Sequence, residues 1–228
     1  MDHLKYMVAY AEPLMKKGVL DVGSGEGDFV IAAAAAGFNA AGIELNPDKV
    51  AITRAILAQK RLKAEIREGV GEKMPFPDEM FGFVNCSEVT EHVENAEEVL
   101  KEIFRVLIPG GVAYLSFHNR YGYFDQHFKM FGINWMPRAW ADVICRRQEK
   151  IRKYNGKSGR QLLGEMHYFR YSQIVKMLNS LGFRVQDTRE LRIEKRFKNL
   201  LVKSLVLAIY RVFRCTFINT FHVLATKA

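Results

Sequence analysis

Three glycines at alternate positions, Gly23, Gly25 and Gly27, follow the apolar run Val19-Leu20-Asp21-Val22 and precede Phe29 to Ala36, which reads as a helix. Strand, glycine loop, helix is the arrangement that cradles nucleotides and phosphates. Glycine admits positive φ there and lets a ligand touch bare backbone. The spacing is not the dinucleotide fingerprint G-x-G-x-x-G, since Gly27 is followed by Asp28 and Phe29. Glu44 lies 21 residues beyond Gly23, at the end of a second strand-like run from Ala40. An acid there can accept both hydroxyls of a ribose, whichever nucleoside carries it. Ser87, Glu88 and Val89 follow a further apolar run, Phe81 to Cys86. In open α/β sheets ligands lie beyond the carboxyl ends of the strands, so these three should face the same ligand.

The elements that must hold these residues alternate strand and helix. Residues 2–15 carry apolar positions at near-helical spacing and form a leading helix. Pro47 opens a helix running to about Lys60, at a position where its missing N–H costs little. Ala64 to Glu68 is a short third strand and Phe81 to Cys86 the fourth. Glu97 to Leu107 is amphipathic, with Val99, Leu100, Ile103, Phe104 and Leu107 on one face. Pro109-Gly110-Gly111 should stop it, and Val112 to Phe117 is the fifth strand. Ser172 can cap a helix ending at Leu181-Gly182. Phe183 to Thr188 is a sixth strand and Phe217 to Thr226 the closing one.

Alternate-position glycines after a strand holding Asp21 resemble the cofactor loop of class I S-adenosylmethionine-dependent methyltransferases. Ser87-Glu88-Val89-Thr90-Glu91-His92-Val93 is similar to the E-V-x-E-H-V signature of the ubiquinone/menaquinone-biosynthesis-type, small-molecule branch. Leu107 to Ala113 resembles that family's L-x-P-G-G-x-L turn, and Gly69 to Asp78 resembles the stretch that frames adenine. The likeness runs in order through the first half of the chain. It implies an α/β, Rossmann-like sheet of seven mostly parallel strands, the last antiparallel, with flanking helices and a helical lid after strand five. It implies S-adenosylmethionine as cofactor, with Asp21, Gly23, Ser24, Gly25, Gly27, Glu44, Leu45, Val70, Gly71, Glu72, Ser87 and Glu88 around it. The loop would admit the ligand's carboxylate to backbone N–H groups. The acid that usually meets the adenine amino group falls at Val70, so a backbone carbonyl or Glu72 must replace it. Tyr6, with His3, matches a His and Tyr that help cover the cofactor in one branch, and plain packing of Tyr6 is the alternative.

Methyl transfer needs alignment of acceptor and donor, exclusion of water and, for a hydroxyl acceptor, a base. His118 follows strand five and His167 precedes the helix after the lid, so both are candidate catalytic residues. His92 reads as a structural, hydrogen-bonded histidine. The lid, residues 119–165, is rich in aromatic and basic residues and should hold a small-molecule or lipid- or glycan-linked acceptor. Alternatives are an RNA methyltransferase, an NAD(P)-dependent oxidoreductase or a noncatalytic nucleotide-binding protein. The chain has no recognisable nucleic-acid-binding module and no placed Y-x-x-x-K set.

The formal net charge of +9 is uneven: residues 1–118 sum to −6 and residues 119–228 to +15. A basic second half suits an anionic partner. Residues 191–216 hold seven basic residues against Glu194 around an apolar stripe, a basic amphipathic helix. It could meet an anionic membrane, line an acceptor pocket, pair with its copy in a homodimer or pack on the sheet edge. Cys86, Cys145 and Cys215 lack metal-ligand spacing and fit a reduced, cytoplasmic compartment, and the sequence suggests no metal. The N-terminus does not read as a signal peptide. No 18-residue window is both apolar and free of charge. The whole chain is expected to be one domain.

Overall fold

The computed structural model describes residues 3–148 and 161–228; of His3 and Tyr6 only the backbone is described. The strands are β1 (Val19–Val22), β2 (Ala40–Glu44), β3 (Ala64–Glu68), β4 (Phe81–Cys86), β5 (Leu107–His118), β6 (Phe124–Asp125), β7 (Met130–Phe131), β8 (Phe183–Asp187) and β9 (Thr220–Lys227). The helices are α1 (His3–Met15), α2 (Asp28–Ala35), α3 (Pro47–Gln59), α4 (Ala96–Val106), α5 (Arg138–Arg147), α6 (Tyr171–Ser180), α7 (Thr188–Arg196) and α8 (Leu200–Phe217). Seven strands form one sheet in the order β3-β2-β1-β4-β5-β9-β8. The first five run parallel, and β9 is antiparallel to both neighbours. This is the expected α/β, Rossmann-like sheet.

β1 and β4 are buried at every position, as central parallel strands covered on both faces must be. Alternate residues feed two cores. Leu20, Val22 and Val84 pack with Val99, Leu100 and Ile103 of α4 and Ile174 and Leu178 of α6. Val19, Ala40 and Phe83 pack with Met7 of α1, Phe29 and Val30 of α2, and Val50 and Leu57 of α3. Each fully buried Leu, Ile or Phe contributes about 1.5–3 kcal/mol. These two layers fix the carboxyl ends of β1, β2, β4 and β5 on one edge, where the loops carry the polar residues.

Several boundaries differ from expectation. Asn95 caps α4 through the N–H groups of Glu97 and Glu98, and β5 begins directly at Leu107. Pro109-Gly110-Gly111 lies beyond the end of α4 and inside β5, in a register shift between the pairs Phe81–Leu107 and Phe83–Val112. Arg170, not Ser172, takes the N-cap position of α6, and the Gln173 side chain accepts the Arg170 N–H at 2.9 Å. Among the described residues the insertion after β5 contains a β6–β7 hairpin, one α-helix, α5, and two short 3-10 turns, gathered on their own core of Phe128, Ile133, Ala141, Cys145, Leu163 and Met166. Residues 149–160 of the expected lid lie outside the described residues.

The basic amphipathic stretch is two helices, because Asn199 restarts the chain by capping the N–H groups of Leu201 and Val202. α8 is held by its polar side. Tyr210 donates to Asp187 at 2.7 Å, and Arg211 and Arg214 pair with Glu190, a residue just outside the stretch counted from sequence. Those bonds keep Glu190 ionised below its ordinary range, with Arg211 the main cause. Its apolar residues face outward: Leu201 is 82% and Val212 72% exposed, and none of its residues is buried. Among the described residues no helix is long and apolar enough to cross a membrane.

Candidate cofactor and acceptor site

The glycine loop is tied to β2. Gly23 and Ser24 donate their N–H groups to the Ile43 carbonyl at 2.9 and 3.0 Å, and Gly27 donates to Ser24 at 2.8 Å. Gly25 donates to Glu44 Oε2 at 2.8 Å, while Oε1 accepts the Asn46 N–H at 2.9 Å. These four loop N–H groups are therefore engaged, and they do not present themselves to a ligand carboxylate as expected. Gly23 has φ +67°, and a Cβ there would stand 2.5 Å from Val89 Cγ2, so the loop after β4 packs directly on the loop after β1. Gly25 has φ +56° and no atom within 4 Å of where its Cβ would stand. The loop is open to a ligand at this glycine.

Beneath the loop, buried Asp21 accepts a hydrogen bond from Asn85 Nδ2 at 2.6 Å, and Asn85 Oδ1 accepts from Ser87 Oγ at 3.2 Å. Burial pushes the Asp21 carboxyl up to about 7, against the opposing effect of the Asn85 bond. Ser24 Oγ is buried without a hydrogen-bond partner. Leu45 and Val70 are exposed, and Gly71 lies against the side chains of Val22 and Val99. Glu72 Oε1 accepts the N–H groups of Glu94 and Asn95 at 3.0 and 3.4 Å, ahead of α4. Tyr6 is on α1, and its side chain lies outside the described residues. S-adenosylmethionine suits these residues on structural grounds. The space at Gly25 is open, the Glu44 carboxylate has lone pairs left for ribose hydroxyls, and the buried Ser24 hydroxyl lacks a partner.

At the carboxyl ends of β4 and β5 lies a second group of polar side chains. Glu88 takes a left-handed backbone, φ +58°, held by its N–H to Ser116 Oγ at 2.8 Å. Its Oε2 lies 2.8 Å from His118 Nε2. Glu91, with no exposed side-chain surface, places Oε1 3.2 Å from His118 Nε2 and 3.4 Å from His127 Nε2. Burial disfavours the His118 charge, but the neighbouring Glu88 and Glu91 carboxylates outweigh it and raise its pKa to about 10.

The insertion reaches this group through His127 and Tyr168. Asp125 Oδ1 accepts the N–H groups of His127 and Phe128 at 2.9 and 2.8 Å, and its Oδ2 accepts Tyr168 Oη at 2.8 Å. The Tyr168 ring stacks on His118 at 5.2 Å. His167 is placed differently. Its backbone N–H donates to the Glu91 carbonyl at 3.0 Å and its half-buried ring lies against Phe169, so it stands beside the cluster and not within it. His92 Nδ1 bonds Gln161 Oε1 at 2.6 Å. Sequence reasoning missed His127 and Asp125, whose only local signal is an Asp two residues before a His.

Residues 20–115 match the family described as methyltransferase domain. A demethylmenaquinone methyltransferase of Chlorobaculum parvum is 38% identical over 98 residues, covering 42% of this chain and 39% of that protein. A ubiquinone biosynthesis O-methyltransferase of Pseudomonas fluorescens is 34% identical over 111 residues, covering 47% of each. The chain thus spans less than half the length of these curated relatives. An S-adenosylmethionine-dependent methyltransferase of Methanosarcina mazei superposes with a TM-score of 0.60 at 19% identity, over 95% of both chains. Residues 20–115 thus resemble a methyltransferase domain, and the described chain has the fold of the superposed methyltransferase structure.

Proposed function

We propose that the protein is an S-adenosylmethionine-dependent methyltransferase acting on a small-molecule acceptor, free or lipid-linked. The observation that carries this reading is the open space in front of Gly25 beside the Glu44 carboxylate. Bound there, the cofactor would supply an activated sulfonium methyl group for transfer to an acceptor lone pair. Glu44 would accept the ribose hydroxyls while holding the loop, and Ser87 and Glu88 would line the acceptor side. The half-exposed Glu88 carboxylate is placed to take a proton from a hydroxyl acceptor, with His118 fixing its position. His167 would brace the segment carrying Tyr168 through its bond to Glu91. The insertion after β5, through His127 and Tyr168, would cover the acceptor and exclude water.

The same reading extends to location: a cytoplasmic protein that visits an anionic membrane surface. Its support is α8, pinned by Tyr210, Arg211 and Arg214 with its apolar residues outward. An exposed apolar helix face near basic residues lies in a headgroup layer more favourably than in water. Incubation of the protein with labelled cofactor and separate metabolite, lipid and RNA pools tests the acceptor class. Label should enter the small-molecule or lipid pool. Label confined to RNA would replace this reading with nucleic-acid methylation.

A further inference from the structure

We propose that Glu88, Glu91, His118 and His127 form a binding site for one first-row divalent transition-metal ion, zinc or manganese(II). Each offers a ligand atom, a carboxylate oxygen or a ring nitrogen, and the four atoms lie within 4.8 Å of one another. The two Nε2 atoms converge to 3.0 Å, with Glu91 Oε1 3.2 and 3.4 Å from them and Glu88 Oε2 2.8 Å from His118 Nε2. Two imidazoles and two carboxylates suit zinc, manganese(II) or iron(II) better than magnesium or calcium, which prefer oxygen ligands throughout.

A second observation points to a cation. The Glu91 side chain has no exposed surface, and neither of its oxygens has a hydrogen-bond partner of acceptable geometry. A fully buried carboxylate is costly unless a cation or donors neutralise it. The groups within 3.6 Å of Glu91 Oε1 that the structure identifies are ring nitrogens of His92, His118 and His127. Imidazole nitrogens and carboxylates are the donor set that a metal ion gathers.

The surroundings hold the ligands in place. Asp125 caps the turn that carries His127 and ties it to Tyr168, whose ring stacks on His118. Ser116 Oγ accepts the Glu88 N–H and so fixes an unfavourable left-handed backbone that turns the carboxylate toward His118. Supports of this kind orient metal ligands. Three of the ligating side chains are buried, while Glu88 is half-exposed. The site is therefore closed on one side and open beside the loop after β4, where a further position could take an oxygen of a hydroxyl-bearing acceptor.

Metal binding is measured without cofactor or acceptor, so its outcome is independent of the methyltransferase reading. The untagged chain, stripped with a chelator, is titrated with Zn²⁺, Mn²⁺ and Co²⁺ by calorimetry, with Co²⁺ also followed by visible absorption. The expected result is one equivalent bound, the strong absorption of low-coordinate cobalt, and a rise in thermal midpoint with metal. Glu88→Gln, half-exposed and expected to fold, and His127→Asn should each weaken binding about 100-fold or more. The proposal is overturned if the folded wild-type chain binds none of the three stoichiometrically. It is equally overturned if Glu88→Gln and His127→Asn, folded by circular dichroism, bind as tightly as wild type.

Discussion

Glu44 Oε2 accepts the Gly25 N–H at 2.8 Å, so the acid at the end of β2 holds the glycine loop of β1 across 19 residues. Its carboxylate thereby shapes the loop and remains available to ribose hydroxyls on its other lone pairs. Replacing it removes both contributions. Glu44→Ala should weaken S-adenosylhomocysteine binding by about 10- to 100-fold, the scale of one charge-assisted hydrogen bond. Glu44→Gln, which retains one acceptor, should fall between. Calorimetric affinities unchanged in Glu44→Ala would remove Glu44 from the site.

The three loop glycines should separate by phenotype. A Cβ at Gly27 would overlap Thr53 and one at Gly23 would overlap Val89, whereas Gly25 faces open space. Gly23→Ala and Gly27→Ala should therefore destabilise the fold by about 2–4 kcal/mol, combining overlap with left-handed strain. Gly25→Ala should cost about 1 kcal/mol, from backbone strain alone. Urea unfolding of the three variants checks the order, and equal losses would contradict the packing described at this loop.

Asp21 gives the chain a pH-dependent stability. Its carboxyl is raised from 3.8 to about 7 by burial, so the folded state holds a proton that the unfolded state releases between those values. Stability from this group is full below about pH 4 and is lost as the pH rises through 7. Asp21→Asn keeps an acceptor for Asn85 and carries no charge. It should unfold at higher urea than wild type at pH 8, by a few kcal/mol at most, with the gap closing toward pH 4. A gap that widened on acidification would show that Asp21 is ionised in the fold.

The first half of the chain was legible in the sequence because its signals are local. A strand, a glycine loop and a helix read consecutively, and Glu44, Pro47 and the faces of α4 are set by spacing alone. The second half depends on contacts between distant residues. α8 shows amphipathic periodicity, but the side it turns toward the sheet is chosen by Asp187 and Glu190, which pair with Tyr210, Arg211 and Arg214. The sequence pattern cannot say that the polar side is the one held. The cluster at Glu88 likewise joins residues up to 39 positions apart, brought together by adjacent strands and a hairpin. Pro109-Gly110-Gly111 looked like a helix stop and proved to be a register shift within β5, because edge-to-edge pairing resumes at Val112.

Outward-facing α8 gives a further expectation. Arg211 and Arg214 are paired with Glu190 and Lys195 lies 3.9 Å from the Tyr10 ring centroid, so charge reversal at those positions would disturb the fold. Lys198 and the apolar face are the informative positions. The protein should sediment with anionic liposomes at low salt and less as salt rises, and Leu201→Ser/Val212→Ser should reduce this about 10-fold or more. Equal recovery with neutral and anionic vesicles, or none with either, would assign α8 another role.

The central claim is that the loop at Gly25 receives the adenosyl cofactor, and calorimetry of S-adenosylhomocysteine on wild type and Gly25→Val tests it most directly. The account predicts saturable binding to wild type, no heat of binding with a folded Gly25→Val, and no competition by NAD. Tight NAD binding with no response to S-adenosylhomocysteine, or undiminished binding in Gly25→Val, would contradict it.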